Sequence, residues 1–234
     1  MHPMITRETA AHAALVVCLL ASMPCVAQAQ DLTVQLVGNA GVLLTDAATS
    51  LLIDLPYEPG AFGYMRYDPA RLQPSGTVAS VVTHHHRDHF DPSLFLPRTS
   101  WRIIGPPTAT TNLPPDRVLV GDSVMVGAFS VVAIPTPHTP DHRSYRIRWR
   151  GRVLHFTGDT EQAGTLPPGP HLDVLFLTPW FQCSLRDAGR PASWDRAVLY
   201  HRQTDGSDPI CGSAELREQG AVHVATQVRM RRFP

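Results

Sequence analysis

The chemistry in this sequence is concentrated in one stretch, Thr83-His84-His85-His86-Arg87-Asp88-His89, which follows the apolar run Val78-Ala79-Ser80-Val81-Val82. Four histidines and a carboxylate within six residues are poor core material. They are good metal ligands, because neutral imidazole and carboxylate suit zinc and similar divalent ions. If Val78 to Thr83 is a strand, residues two apart point the same way. His84 and His86 then share one side at the strand end, and His85 faces the other. Asp88 and His89 follow where the chain must turn, within reach of a second ion beside the first.

Three more candidate ligands lie at the ends of predicted strands. Ile134-Pro135-Thr136-Pro137-His138-Thr139-Pro140 sets a histidine in a loop stiffened by prolines. Phe156-Thr157-Gly158-Asp159-Thr160 sets a carboxylate beside a glycine that permits close backbone approach. Ala197-Val198-Leu199-Tyr200-His201 ends on another histidine. A zinc ion takes about four ligands. His84, His86 and His138 could hold one ion, Asp88, His89 and His201 a second, and the two oxygens of Asp159 could bridge them. Ions about 3.5–4 Å apart can share a hydroxide. His142 and Asp141 stand close enough to line the pocket or to orient a ligand, whereas His155 alternates within Val153 to Phe156 as a sheet residue.

The elements that must position these groups are mostly short strands. Leu32 to Val37, Gly41 to Leu44 and Leu51 to Leu55 read as an antiparallel meander. Further strands are expected at Val78–Thr83, Trp101–Ile104, Val118–Val120, Ser123–Val126, Ser130–Ile134, Tyr145–Arg150, Arg152–Phe156, Val174–Leu177, Ala197–Tyr200 and Val222–Val228. Asp88 or Asp91 caps a short helix that Pro97 limits, and Ser213 to Gln219 reads as another helix. Many strands with few helices predict two packed sheets flanked by helices. The Gly/Pro-rich segment 56–67 carries Tyr57, Phe62, Tyr64 and Tyr67, which either wall a binding site or pack back on the sheet edge. Trp180 and Phe181, with Tyr64 or Tyr67, are further candidates for an apolar wall.

The 234 residues fit one domain after an N-terminal address. Arg7, the apolar stretch 13–21 and Ala27-Gln28-Ala29 form a charged start, a hydrophobic segment and an A-x-A cleavage site. Residues 1–29 are thus expected to be a secretory signal, with the mature domain at 31–234 and a periplasmic or secreted location. The apolar run is too short to span a bilayer comfortably, so no stable membrane anchor is expected. Formal charge is zero and lysine is absent, which excludes Schiff-base chemistry on lysine and gives no general footprint for nucleic acid. Cys183 and Cys211 could pair in an oxidising compartment or remain thiols.

With these residues in place the chain resembles the metallo-β-lactamase fold superfamily, specifically its dinuclear metal hydrolases. His84-x-His86-x-Asp88-His89 matches the motif H-x-H-x-D-H, and His138, Gly158-Asp159-Thr160 and His201 follow in family order. Asn39-Ala40-Gly41-Val42-Leu43 and Leu52-Ile53-Asp54 are similar to the opening strands of that fold. The resemblance implies an α+β fold, a four-layer αββα sandwich with the metals at one edge. It implies two divalent ions, zinc foremost, and hydrolysis of a small-molecule substrate by a hydroxide that Asp88 orients. Lactonase-like carbonyl chemistry fits the compact chain. A β-lactam hydrolase, a phosphodiesterase, a thioester hydrolase and a non-catalytic metal-binding module stay open. An oxygen-reducing di-iron protein of this fold would carry Glu in place of His86.

Overall fold

The computed structural model describes residues 31–46, 48–166, 168–188, 193–209 and 211, together with the backbone of 222–223 and 229–233. The expected signal segment 1–29 and the expected helix 213–219 lie outside the described residues, as does most of the expected strand 222–228. Among the described residues no helix is long and apolar enough to cross a membrane.

Short strands, many buried along most of their length, build two sheets. The first runs β13 (Arg229–Phe233), β1 (Leu32–Gly38), β2 (Gly41–Thr45), β3 (Thr49–Ile53), β4 (Thr77–Val81) and β5 (Arg102–Ile104). The second runs β12 (Val222–His223), β11 (Trp194–Leu199), β10 (Leu172–Leu177), β9 (Arg152–Phe156), β8 (Arg143–Trp149), β7 (Phe129–Pro135) and β6 (Ser123–Val126). Each sheet is mixed. The β1–β2–β3 meander is antiparallel as expected, and β3, β4 and β5 are parallel. In the second sheet β6 to β9 are antiparallel and β9, β10, β11 and β12 parallel.

Residues one apart on a strand serve different layers. Leu51 and Ile53 face the core between the sheets, with Leu154, Phe156, Val174 and Phe176 opposite, and Phe156 stacks on Phe176 at 4.3 Å. Leu52 faces outward, towards Phe95 and Ala109 of the short helices α1 (Pro92–Phe95) and α2 (Pro107–Thr110). Leu175 and Leu177 likewise face Phe181 and Leu185 of α3 (Pro179–Asp187). Three apolar layers between two sheets and two helical flanks make the αββα sandwich.

Differences from the expected elements have local causes. Asp91, not Asp88, caps α1, accepting from Ser93 N–H. Val118 makes only an isolated bridge to Ile103, so the expected strand 118–120 is a single contact. Helix α3 was not expected: Thr178 caps it and Pro179 opens it, where the sequence reads as a strand end. Cys183 and Cys211 form a disulfide. Buried Arg117 donates to the carbonyls of Trp101, Leu96, Phe95 and Arg98, which holds the end of α1 just beyond the histidine stretch.

His155 is fully buried on the outer face of β9, opposite Arg146. Burial, and then the Arg146 charge, push its pKa down to about 3. Unfolded, it titrates near ~6.5. Both states are neutral at pH 7. Below about 6.5 the unfolded chain takes a proton that the native state refuses, so stability is lost as pH falls towards 3. Replacing His155 by Phe is expected to flatten that acid limb by up to ~1.4 kcal/mol per pH unit. Urea unfolding across the window measures it, and parallel slopes in the two proteins would remove His155 as the proton acceptor.

Candidate metal centre

The candidate ligands collect where strands of both sheets end. The stretch 83–89 leaves β4, His138 follows β7, Asp159 follows β9 and His201 follows β11. Strand alternation does not sort the histidines, because β4 stops at Val81 and 84–89 is loop and turn. The partition nevertheless holds: His84 is buried, His86 half-buried beside it, and His85 exposed.

Three overlapping donor groups result: His84, His86 and His138; His84, His89 and Asp159; Asp88, His89 and His201, each with its ligand atoms within 4.8 Å of one another. Asp159 Oδ2 sits among them, 3.2 Å from His89 Nε2, 3.1 Å from His201 Nε2 and 3.8 Å from both His84 Nε2 and His138 Nε2. Asp88 Oδ2 is 3.1 Å from His201 Nε2 and 3.5 Å from His89 Nε2. His138 is the most open of the set.

Hydrogen bonds behind the ligands fix their tautomers. Asp54 is fully buried; its carboxylate accepts from Thr83 N–H at 2.8 Å, from the Thr83 hydroxyl at 3.0 Å and from His89 Nδ1 at 3.0 Å. The Thr83 oxygen then accepts from His84 Nδ1 at 3.0 Å. His84 is left with an Nε2 lone pair facing the centre and His89 presents one once a cation displaces its Nε2 proton, the arrangement by which an outer carboxylate orients a metal-binding imidazole. Across the centre, His142 Nε2 accepts from Asp159 N–H at 3.0 Å while Nδ1 donates to Thr136 Oγ1 at 2.8 Å. Burial drives the His142 pKa down to about 3, so it is neutral, as an acceptor must be. His142 is therefore a ligand orienter, and Asp141 is not: its carboxylate turns away to Thr108. Gly158 has φ 58, and a Cβ there would meet His142 Nε2 at 2.5 Å, so only glycine fits between Thr157 and Asp159.

The electrostatics call for cations. Burial opposes charge on His89, but the Asp159 and Asp54 carboxylates prevail and hold its pKa well above the ordinary value. His201 is likewise raised, to about 9, against burial and by Asp159. Burial would raise the Asp159 pKa, yet His201 and His89 hold it well below the carboxylate range. Burial pushes His84 the other way, down. Protons on these rings are the positive charge that buried carboxylates demand, and divalent cations would displace them. Asp159 Oδ1, buried without a hydrogen-bond partner, is a further open coordination position. The donor set fits divalent cations.

The aromatic segment divides. Tyr57 and Tyr67 pack on each other at 4.6 Å and belong to the core under the first sheet. Tyr64 meets His201 edge-on at 4.2 Å, Trp180 meets it at 5.5 Å, and exposed Phe62 stands 6.4 Å from His86. Phe181 is core, not wall. Sequence reasoning missed Thr83 and gave Asp54 no role; an aspartate ending an apolar strand, with no basic residue beside it, was the available signal.

Asp54→Asn is expected to lower cation affinity by about 10–100-fold, because one amide cannot accept from both Thr83 and His89. Chelator competition measures this, and wild-type affinity in the variant would remove Asp54 as the orienting group.

No protein-family model matches the chain. Over 131 residues, 52% of this chain and 48% of the relative, it is 34% identical to a hydroxyacylglutathione hydrolase of Chelativorans sp. (strain BNC1). The match thus spans about half the length of that curated relative. Among solved structures, Igni18, a metallo hydrolase from Ignicoccus hospitalis, is similar with a TM-score of 0.61 at 14% identity, over 86% of this chain and 99% of that one. The metallo-β-lactamase fold protein YhfI from Bacillus subtilis is similar with a TM-score of 0.58 at 16% identity, over 85% of this chain and 99% of that one. Strand order, layer structure and these likenesses show that the chain has the metallo-β-lactamase fold.

Proposed function

We propose that this chain is an exported metal-dependent hydrolase acting on the carbonyl of a small ester, lactone, thioester or amide-like substrate. The observation that carries the reading is the convergence of His84, His86 and His138 with Asp88, His89 and His201 around the Asp159 carboxylate. The first trio would hold one cation, the second trio another, and Asp159 would serve both. When bound, two divalent ions, zinc foremost, lower the pKa of a water towards neutrality and polarise the scissile carbonyl.

The chain's own groups do the rest. Asp88, whose Oδ2 lies 3.1 Å from His201 Nε2 in the second donor set, orients the attacking water. Asp54 and His142 keep His89 and Asp159 in place, so little reorganisation is needed as charge develops. Tyr64, Trp180 and Phe62 offer an apolar wall beside His201 and His86, which would hold an acyl or leaving group and shield the reacting bond from bulk water. The relative named hydroxyacylglutathione hydrolase makes an α-hydroxy thioester the first substrate to try. The Cys183–Cys211 disulfide supports export, since such bonds persist in oxidising compartments.

The test is a metal assay joined to a substrate panel of esters, lactones, thioesters, β-lactams and phosphodiesters. Two equivalents of metal per chain and chelator-sensitive turnover of a carbonyl substrate are expected. His86→Ala and Asp159→Ala should each lose bound metal and at least about 100-fold in turnover, the scale of removing a principal catalytic group. Full metal content in those variants would overturn the site. Stable metal binding without turnover of any panel member would leave a binding module instead.

A further inference from the structure

Beyond the ligands and the groups behind His89 and Asp159, one side chain ties the two halves of the second donor set together. Asn39 and Ala40 form the turn of the β1–β2 hairpin, closed by the pairing of Gly38 with Gly41. Asn39 takes a left-handed φ of 47, which asparagine tolerates better than most residues. The turn points Asn39 at the centre, where it is buried. Its amide Nδ2–H donates to the main-chain carbonyl of Asp88 at 2.9 Å. Its own main-chain carbonyl accepts from His201 N–H at 3.0 Å. Asp88 comes from the end of the first sheet and His201 from the end of the second, so one residue fixes the separation of two ligands that no strand pairing connects. His201 itself sits at a left-handed φ of 54, a conformation that needs such a tether in a residue other than glycine. The other amide atom, Oδ1, is buried without a partner. A residue selected for packing alone would not carry that unsatisfied oxygen.

We infer that Asn39 is a positioning residue for the second cation, holding Asp88 and His201 at the spacing that cation needs. It makes no hydrogen bond to His84, His86 or His138, so its effect is confined to one of the two cations. The inference rests on the two-cation reading above.

Two variants test it in the full chain. Asn39→Gly keeps the left-handed turn and the carbonyl that His201 uses, and removes only the side-chain donor. Asn39→Asp keeps the size and replaces the donor by a carboxylate facing the Asp88 carbonyl. Zinc content and chelator competition are read for each, with cobalt(II) absorption as the spectroscopic probe. Wild type should take two equivalents. Both variants should keep one with unchanged affinity and lose about 10–100-fold in affinity for the other, the usual effect of losing a group that orients a ligand. The spectrum of the one-cobalt Asn39→Gly form should match that of one-cobalt His201→Ala. Two equivalents at wild-type affinity in both variants, or parallel loss of both ions, would overturn the inference while leaving the two-cation reading intact. A wild type that takes fewer than two would overturn that reading, and this inference with it.

Discussion

Asp54 is a carboxylate sealed from water at the end of β3, and the order of the centre depends on how its charge is satisfied. A buried ion costs several kcal/mol unless hydrogen bonds and opposite charge replace its hydration. Three donors do so: the Thr83 amide, the Thr83 hydroxyl and His89 Nδ1. Each bond has a second effect. Committing the Thr83 proton to Asp54 leaves its oxygen free to accept from His84. Committing His89 Nδ1 leaves Nε2 directed at Asp159. One buried charge therefore sets the tautomer and orientation of two imidazoles, and it does so from the end of β3, the strand paired with the one that leads into them.

The remaining geometry comes from the packing of one sheet on the other. The stretch 83–89 belongs to the first sheet; His138, Asp159 and His201 belong to the second. Among the described residues no hydrogen-bonded ladder spans the two groups, so their separation is set by the side chains between the sheets and by single backbone bonds, from Arg143 N–H to the Thr83 carbonyl and from His201 N–H to the Asn39 carbonyl. Tyr145 shows how closely the layers are keyed, its hydroxyl crossing the core to donate to the Val82 carbonyl at 2.9 Å. Close-packed interiors transmit sub-ångström constraints, which is what a set of converging candidate metal ligands requires. Gly158 marks a tight point beside the centre, where the chain from β9 passes against the His142 ring and Thr83.

How much of this could be read from the sequence follows from the range of each interaction. The histidine motif was legible because its members are neighbours in the chain and their chemistry is unambiguous. Continuously buried strands, such as the apolar run 174–177 within Leu172–Leu177, were legible by the same local logic, and the cap on α1 was narrowed to Asp88 or Asp91, of which the structure uses Asp91. His138, Asp159 and His201 could be proposed only as strand-end residues, because what unites them is the meeting of two sheets. The division of His84, His86 and His85 came out correctly on an argument that does not apply, since the strand stops before them. Helix α3 was missed because Thr178-Pro179-Trp180-Phe181 reads as a strand end followed by an apolar wall, whereas Thr178 and Pro179 begin a helix. The aromatic segment could not be divided at all from its composition. Tyr57 goes to the core because its hydroxyl finds the Met65 carbonyl at 2.7 Å, a partner visible only once the loop has folded back.

That same loop has a bearing on how the centre meets a substrate. Glu58 and Arg87 form a two-pronged ion pair, and the Glu58 amide donates to the Arg87 carbonyl at 2.8 Å. Arg87 lies inside the histidine motif, between His86 and Asp88, so the loop is fastened directly to the ligand-bearing turn. At its far side Tyr64 bridges to Gln203, two residues beyond His201. The loop thus spans from one donor set to the other, with Phe62 exposed between its attachments. An exposed ion pair contributes little stability, typically ~0.2–1 kcal/mol, but here its geometric effect matters more than its energy. Any displacement of Phe62 or Tyr64 must pull on Arg87 or on the strand end carrying His201, so the loop's aromatic rings and the candidate ligands are mechanically one unit.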